Sequence, residues 1–185
     1  DYQSNGGAVQ QIRVNPANGD IHVTFMLADD STAGGLSDAR RVAYALSTNG
    51  GISWNNFGNL RVPNRRAGFP TIDLGQGSIA GSPIIANHSI VGALGIQATI
   101  FGDSSEGGGI FSEVSPPPGF GSDEPIWPYV AGASDGSVVM AASRPVALTA
   151  FYTRTSDFVS WAPFTQVNDV TQSGGKNPVQ SNGAG

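Results

Sequence analysis

The sequence contains no cysteine, and this absence excludes disulfide bonds, thiol nucleophiles and thiolate metal sites. Charged residues are also scarce, because they make up only 12% of the 185 residues, about half the share that is usual in a globular protein. The net charge is -5 and no basic run exists, so we expect no nucleic-acid partner. No apolar stretch approaches about 18 residues, so we expect no membrane insertion.

Helical periodicity is nearly absent as well. Instead, short runs rich in Val, Ile, Thr and Phe, such as Ile21–Leu27, alternate apolar and polar residues and end at clusters of Gly, Asn, Asp and Pro. The 26 glycines and 12 prolines make turns frequent, and the pairs Asn18-Gly19 and Asp135-Gly136 are typical of tight hairpin turns. The sequence therefore predicts an all-β protein.

Three short segments repeat along the chain. Each has a hydroxyl residue, an acidic or amide residue two positions later, and an aromatic residue at its end. The aromatic residues are about 50 to 60 positions apart, which is the length of a four-stranded propeller blade. The segments are Ser47–Trp54, Ser104–Phe111 and Thr155–Trp161.

The strands around these segments repeat in the same order. Two strands joined by a tight turn lead to a third strand, then to the repeated segment and to a short fourth strand. The predicted fourth strands are Asn59–Val62, Ser112–Val114 and Thr165–Val167. We therefore predict a β-propeller of four-stranded antiparallel blades, with about three and a half blades here as part of a larger propeller. The predicted blades are residues 6–63, 68–116 and 124–169, with the start of a fourth at 176–185.

The repeated segments resemble the Asp-box, or BNR, repeat of sialidases and related β-propellers, whose pattern is Ser/Thr-x-Asp-x-Gly-x-Thr/Ser-Trp/Phe. In the first segment an amide replaces the aspartate, the second segment fits less closely, and the third has lost the glycine and one residue. The positions that carry the resemblance are Ser47, Asn49, Gly51 and Trp54, then Ser104, Glu106, Gly108 and Phe111, then Asp157 and Trp161. The chain also resembles secreted surface proteins of bacteria, which implies a secreted or cell-surface location.

We expect the repeated segments to be structural. A short acidic or amide side chain can accept hydrogen bonds from the backbone N–H groups of its own turn, and glycine permits a positive φ. The aromatic residue then packs between neighbouring sheets. Because the turn uses these groups, a ligand site is expected at the other end of the blades.

The strand order predicts where the scarce charges collect. The loops between blades and the loops between second and third strands share one end of the propeller, where ligands usually bind. Two interpretations remain open: a polar mouth for a sugar or acidic glycan, with Asp123 or Glu124 as acid or base, or loops that simply gather charged residues. The candidate ligand-binding residues are Arg65, Arg66, His88, Asp123, Glu124, Arg144 and Lys176.

A complete sialidase site is not visible in the sequence. The resemblance would require three arginines around a carboxylate, a Tyr/Glu pair and an aspartic acid, but no tyrosine has a paired glutamate. Leu60–Pro63 looks like the Arg-Ile-Pro motif of sialidases, yet it follows the first repeated segment instead of preceding it. The cluster Asp29, Asp30 and Asp38 is a weak calcium candidate, for which a solvated turn is the preferred interpretation. We predict no cofactor.

Three functions remain open. The first is a non-catalytic propeller module on a cell surface, which binds a glycan or a surface protein or serves a structural role. The second is a fragment of a sialidase-like glycoside hydrolase or lyase. The third is a subunit that joins others through open blade edges into a ring or filament. The missing catalytic set favours a protein that is not an enzyme. The predicted partners are a glycan or surface protein, and either further copies or the remainder of the propeller.

Overall fold

The computed structural model of the chain describes residues 10–30, 36–147 and 149–171. Within these ranges the chain forms antiparallel strands, one four-residue helix, α1 (Leu36–Ala39), and short 3-10 turns. No helix in the described ranges is long and apolar enough to cross a membrane. The strands are β1 (Ile12–Val14), β2 (Ile21–Ala28), β3 (Arg40–Ser47), β4 (Ala67–Leu74), β5 (Pro83–Ile90), β6 (Ile96–Asp103), β7 (Phe111–Glu113), β8 (Ile126–Gly132), β9 (Val138–Ser143), β10 (Thr149–Thr155) and β11 (Thr165–Thr171).

The strands form three sheets, and in each sheet every strand pairs with the next along the chain. The orders are β1-β2-β3, then β4-β5-β6-β7, then β8-β9-β10-β11, and all pairings are antiparallel. Short hairpins produce this order. Gly19 and Gly136 both adopt positive φ in the tight turns that join β1 to β2 and β8 to β9. The all-β prediction is confirmed.

The first sheet departs from the predicted four strands. The chain after β3 returns along it with two isolated bridges, Leu46 to Asn55 and Ala43 to Arg61, and Val62 N–H donates to the Val42 carbonyl at 2.9 Å, but the predicted strand Asn59–Val62 forms no continuous ladder. Between these bridges Phe57, Gly58 and Asn59 all have positive φ, so the backbone turns away from β3 and cannot extend the ladder. The first sheet therefore has three strands, whereas the second and third have four.

Two hydrophobic cores lie between the sheets. The first joins β3 to the second sheet and contains Val42, Tyr44, Ile72, Ile85 and Phe101. The second joins the opposite face of the second sheet to the third sheet and is built from Ile84, Ile100, Val130, Val138 and Met140. Successive residues such as Ile84 and Ile85 point to opposite faces, so the middle sheet is apolar on both sides and is packed between its neighbours.

The first strands of the three sheets lie together at the centre. The Gln10 side chain donates to the carbonyls of Ile72 in β4, at 2.9 Å, and Val130 in β8, at 3.4 Å. Asp73 in β4 accepts from Arg13 in β1 and from the backbone of Gly132 in β8. Sheets that pack face to face with their first strands gathered at one axis form part of a β-propeller, as the repeats predict.

The strand directions define two ends of the molecule. We call the mouth end the end where β4 and β8 begin and where β2 connects to β3, β5 to β6 and β9 to β10. We call the corner end the opposite end, which holds the hairpin turns and the turns that follow β3, β6 and β10. The predicted start of a fourth blade, residues 176–185, lies outside the described residues.

Candidate functional site

Two of the three repeated turns at the corner end bind their own backbone as expected. Ser47 is the last residue of β3, and its hydroxyl oxygen accepts from Gly51 N–H at 2.8 Å. Asn49 Oδ1 accepts from Ser53 N–H at 2.9 Å. In the third turn Asp157 Oδ1 accepts from the N–H groups of Ser160 and Val159, at 2.7 and 2.8 Å, and these bonds lower the pKa of Asp157 to about 2.

The second turn is built by a different residue from the one expected. Asp103, the last residue of β6, accepts from the N–H groups of Gly109 and Ile110 at 2.8 and 3.1 Å. Asp103 ends β6, as Ser47 ends β3 and Thr155 ends β10. The side chain that caps the second turn is therefore Asp103, and not Ser104 or Glu106 as the sequence predicted. A Cβ on Gly108 would lie 2.9 Å from Asp103 Oδ1, so this glycine keeps room for the cap.

Glu106 instead reaches across to the first sheet. Its Oε1 accepts from the Asn15 side-chain amide at 2.7 Å, and its Oε2 accepts from the Asn18 amide at 3.0 Å. Its Oε1 also lies 3.1 Å from His22 Nε2, whose other ring nitrogen is 2.8 Å from the Tyr44 hydroxyl. Burial raises the pKa of Glu106, but the hydrogen bonds from Asn15, Asn18 and His22 together lower it below its usual value. This network holds the first two sheets together at the corner end.

At the mouth end, most arginines have partners within the chain. Arg61 Nε donates to Asp29 Oδ1 at 2.8 Å, and Arg41 is paired with the same carboxylate. Arg65 donates to Glu113 at 2.9 Å and to Ser89. The weak calcium candidates Asp29 and Asp38 are thus engaged with arginines, since Arg66 lies 3.6 Å from Asp38. In the part of the chain that the structure describes, no group of three His, Asp or Glu residues, Asp30 included, is placed to hold a metal ion.

Asp123 and Glu124 hold the loops at this end. Asp123 accepts from the N–H groups of Val146 and Ala147, at 2.8 and 3.0 Å, and pairs with Arg144 at 3.0 Å. Glu124 Oε1 accepts from the N–H groups of Gly119 and Phe120 at 3.0 and 2.6 Å. Both carboxylates are buried. Both oxygens of Asp123 and Oε1 of Glu124 are engaged with the chain's own donors, so the two carboxylates anchor loops in this arrangement.

His88 lies in a buried cluster with Arg40 and Phe69, neither of which was among the candidate ligand-binding residues. Arg40 donates to His88 Nε2 at 3.1 Å and to the Ala67 carbonyl at 3.1 Å. Its guanidinium carbon lies 5.1 Å from the centre of the Phe69 ring, which meets the His88 ring edge-on at 4.6 Å. A Cβ on Gly68 would lie only 2.6 Å from Arg40 Nε, so glycine provides the space for the guanidinium. Lys176, the last of the candidates, lies outside the described residues.

Two aromatic residues at the mouth end were not among the candidates. Phe69 and Trp127 stand near the starts of β4 and β8, and each is half-buried and followed by a proline. Both have positive φ, +54° and +52°. The repeated aromatic-proline pair is the sequence signal that could have singled them out.

A groove lies between the second and third sheets. Its volume is about 360 Å³. It is bounded by the segment after β7 and the segment before β11, and Trp161 Nε1 donates to the Val114 carbonyl at 2.7 Å beside it. The groove is apolar, and it is lined by Pro116, Pro117, Pro118, Phe120, Trp161 and Phe164.

Three solved structures share this fold. An alpha-L-arabinanase of Penicillium chrysogenum, solved with arabinobiose, matches with a TM-score of 0.59 and 17% identity over 88% of this chain and 50% of its own. A family 117 glycoside hydrolase produced by the marine bacterium Zobellia galactanivorans matches with a TM-score of 0.56 and 14% identity over 86% and 54%. The GH43_1 enzyme from Xanthomonas citri matches with a TM-score of 0.55 and 15% identity over 85% and 55%.

These likenesses show the fold and leave the chemistry to be argued from the site. No protein-family model matches the sequence, and no curated protein sequence is significantly similar to it. The chain spans about half the length of the glycoside hydrolases that it matches. The class that the fold defines is therefore a partial β-propeller whose structural neighbours are glycoside hydrolases.

Proposed function

We propose that this chain is part of a carbohydrate-binding β-propeller and that a neutral glycan binds at its mouth end. The structural neighbours are glycoside hydrolases, and one of them was solved with the neutral disaccharide arabinobiose. The mouth end carries the loops that connect and precede the strands, where a rigid propeller scaffold usually places its ligand.

The proposal of a neutral ligand rests on the ion pairs that the mouth-end arginines form with carboxylates of this chain. Arg61, Arg65 and Arg144 each form a close ion pair with a carboxylate of this chain, at 2.8 to 3.0 Å. An acidic glycan would have to displace these internal carboxylates before its own carboxylate could bind. A neutral sugar would leave these three ion pairs intact, and it would need only hydrogen bonds and apolar contacts.

Binding without bond cleavage is the form of this function that the described residues support. Glycoside hydrolysis generally needs two carboxyl groups that flank the scissile bond. Asp123 and Glu124, the two candidates, are buried and accept hydrogen bonds from backbone N–H groups. The alternative is a glycoside hydrolase whose catalytic carboxyl groups come from outside the described residues, and the enzymatic neighbours favour it.

One panel experiment tests the proposal and separates it from this alternative. The purified chain is titrated by calorimetry with neutral disaccharides, namely arabinobiose, cellobiose and galactobiose, and with sialyllactose as the acidic comparison. We expect binding of a neutral sugar and no binding of sialyllactose. Release of reducing ends from longer forms of the bound sugar would establish the hydrolase instead, and binding of sialyllactose alone would contradict the neutral ligand.

The corner turns support a finer assignment of the repeat. Ser47, Asn49, Thr155 and Asp157 use their side chains to bind turn N–H groups, as an Asp-box would. We assign these turns as Asp-box-type corners and the protein as a secreted or cell-surface protein of a bacterium, because polysaccharides are met outside the cell. Fractionation of the source cells, followed by immunodetection, tests the location.

The outer faces of the end sheets favour a role for further blades. Ile12, Val14 and Phe25 are exposed on the first sheet, and Tyr152 and Val167 are exposed on the third. In a propeller such faces are covered by the neighbouring blades. We propose that further blades of the same propeller cover them, which fits a chain that spans about half the length of its neighbours.

A further inference from the structure

Phe69 and Trp127 occupy equivalent places in adjacent sheets. Phe69 is the third residue of β4 and Trp127 the second residue of β8, and each precedes a proline. The pairing of β4 with β5 shifts register between Gly68 and Thr71, and the pairing of β8 with β9 shifts between Ile126 and Tyr129. Each aromatic residue therefore sits in a bulge, a feature that redirects a side chain out of the pleat.

Both aromatic residues adopt a backbone conformation that glycine would adopt more easily. Their φ values of +54° and +52° lie in the left-handed region, which bulky side chains rarely enter. A protein keeps such strain where its surroundings enforce it, most often at sites that bind or react. Here the same strain occurs twice at the same structural position, and both times an aromatic ring is retained.

The Phe69 ring packs against buried polar side chains. Arg40 and His88, both buried, pack against the Phe69 ring. The two strand starts are joined, because the Thr71 hydroxyl donates to the Pro128 carbonyl at 3.3 Å. Pro70 and Pro128 are buried, whereas Phe69 and Trp127 remain partly exposed. Phe69 and Trp127 therefore lie near a direct contact between the starts of β4 and β8 at the mouth end.

We propose that Phe69 and Trp127 are stacking platforms for two sugar rings of a neutral oligosaccharide. This inference rests on the proposed function and names its contact residues. The C–H face of a sugar ring is apolar and fits against an aromatic face, while the sugar hydroxyls stay in water. Aromatic side chains are well suited to this role because they offer a large contact area and lose little conformational entropy on binding.

Because glycine adopts a left-handed φ readily, a substitution to glycine removes each ring without straining the backbone. In Trp127→Gly and Phe69→Gly the ring is removed, and the new residue adopts the native φ without strain. We expect about a tenfold or greater loss of affinity for the neutral disaccharide that binds best among arabinobiose, cellobiose and galactobiose, measured by calorimetry. We expect Trp127→Phe, which keeps a ring, to retain most of the affinity. The melting temperature of Trp127→Gly should change by only a few degrees, because relief of the backbone strain offsets the lost packing of the ring.

Trp54→Ala is the matched control, because it removes a half-exposed indole from the corner end and should leave the affinity unchanged. If a neutral disaccharide binds and both glycine variants retain its affinity within about twofold, the platform inference is overturned while the proposed function stands. If none of the three disaccharides binds the unaltered chain, the proposed function itself fails. A large fall in melting temperature for Trp127→Gly would show that the ring serves the fold instead.

Discussion

At the scale of single residues, Glu106 connects two sheets through one carboxylate. Because the buried side chains of Asn15 and His22 and the exposed Asn18 all bind this group, its loss would leave Asn15 and His22 without this partner. We expect Glu106→Leu to reduce the free energy of unfolding by about 1–3 kcal/mol in urea denaturation. Glu113→Leu, which removes an exposed ion pair with Arg65, is the control and should cost at most about 1 kcal/mol. Equal losses in the two variants would argue against the network.

Asp157 predicts a pH dependence with a defined sign. Its folded-state pKa is lowered to about 2 by hydrogen bonds from the N–H groups of Ser160 and Val159, below the usual value of 3.8. The stabilisation is therefore fully present above about pH 4 and is lost as the pH falls through 2. We expect Asp157→Ala to lower the urea midpoint at pH 6, with a difference from the unaltered chain that shrinks towards pH 2. A difference that stays constant with pH would contradict this assignment.

The roles of several single residues could not be predicted from the sequence. Aligning the repeats by their hydroxyl residues predicted Glu106 as the capping residue of the second turn. In the structure the equivalent positions are the strand ends, and Asp103 is the capping residue. Phe69 and Trp127 escaped notice because a positive φ cannot be read from an aromatic residue, and aromatic residues ordinarily indicate strand. The long-range contacts of Glu106 could not be read from local patterns.

At the scale of strands, β4 and β8 approach closely at one glycine. A Cβ on Gly132 would lie 2.3 Å from the Leu74 carbonyl oxygen, so any side chain would force the two strands apart. We expect Gly132→Ala to lower the free energy of unfolding by about 1–3 kcal/mol or more. Gly119→Ala is the control, since its Cβ would meet open space and the change should stay within about 0.5 kcal/mol. Thermal unfolding of both variants provides the comparison.

The strand order itself was readable from sequence. Alternating apolar residues and the turn pairs Asn18-Gly19 and Asp135-Gly136 predicted the hairpins, and the strands that flank them are present. The fourth strand of the first sheet was predicted wrongly, because Phe57 and Asn59 have positive φ values. A backbone in the left-handed region cannot continue a β-strand. Local propensity cannot anticipate a turn that tertiary contacts impose.

At the scale of the whole molecule, the exposed apolar faces of the first and third sheets predict association. In isolation the 185-residue chain exposes Phe25, Ile12 and Val14 on one face. We expect its sedimentation coefficient to rise with concentration, and we expect Phe25→Glu to reduce this rise. Ile52→Glu, at an exposed corner turn, is the matched control and should behave like the unaltered chain. A chain that remains monomeric at all concentrations would contradict the need for covering blades.

The central claim is that a neutral glycan binds at the mouth end, and the three tryptophans report on it directly. Trp127 lies at the mouth end, Trp54 in a corner turn, and Trp161 beside the apolar groove. Titration with the best-bound neutral disaccharide, followed by the three indole N–H signals in a proton–nitrogen NMR spectrum, measures which site is occupied. The account predicts that the Trp127 signal shifts while the signals of Trp54 and Trp161 stay in place. A shift of the Trp161 or Trp54 signal with an unmoved Trp127 signal would contradict it.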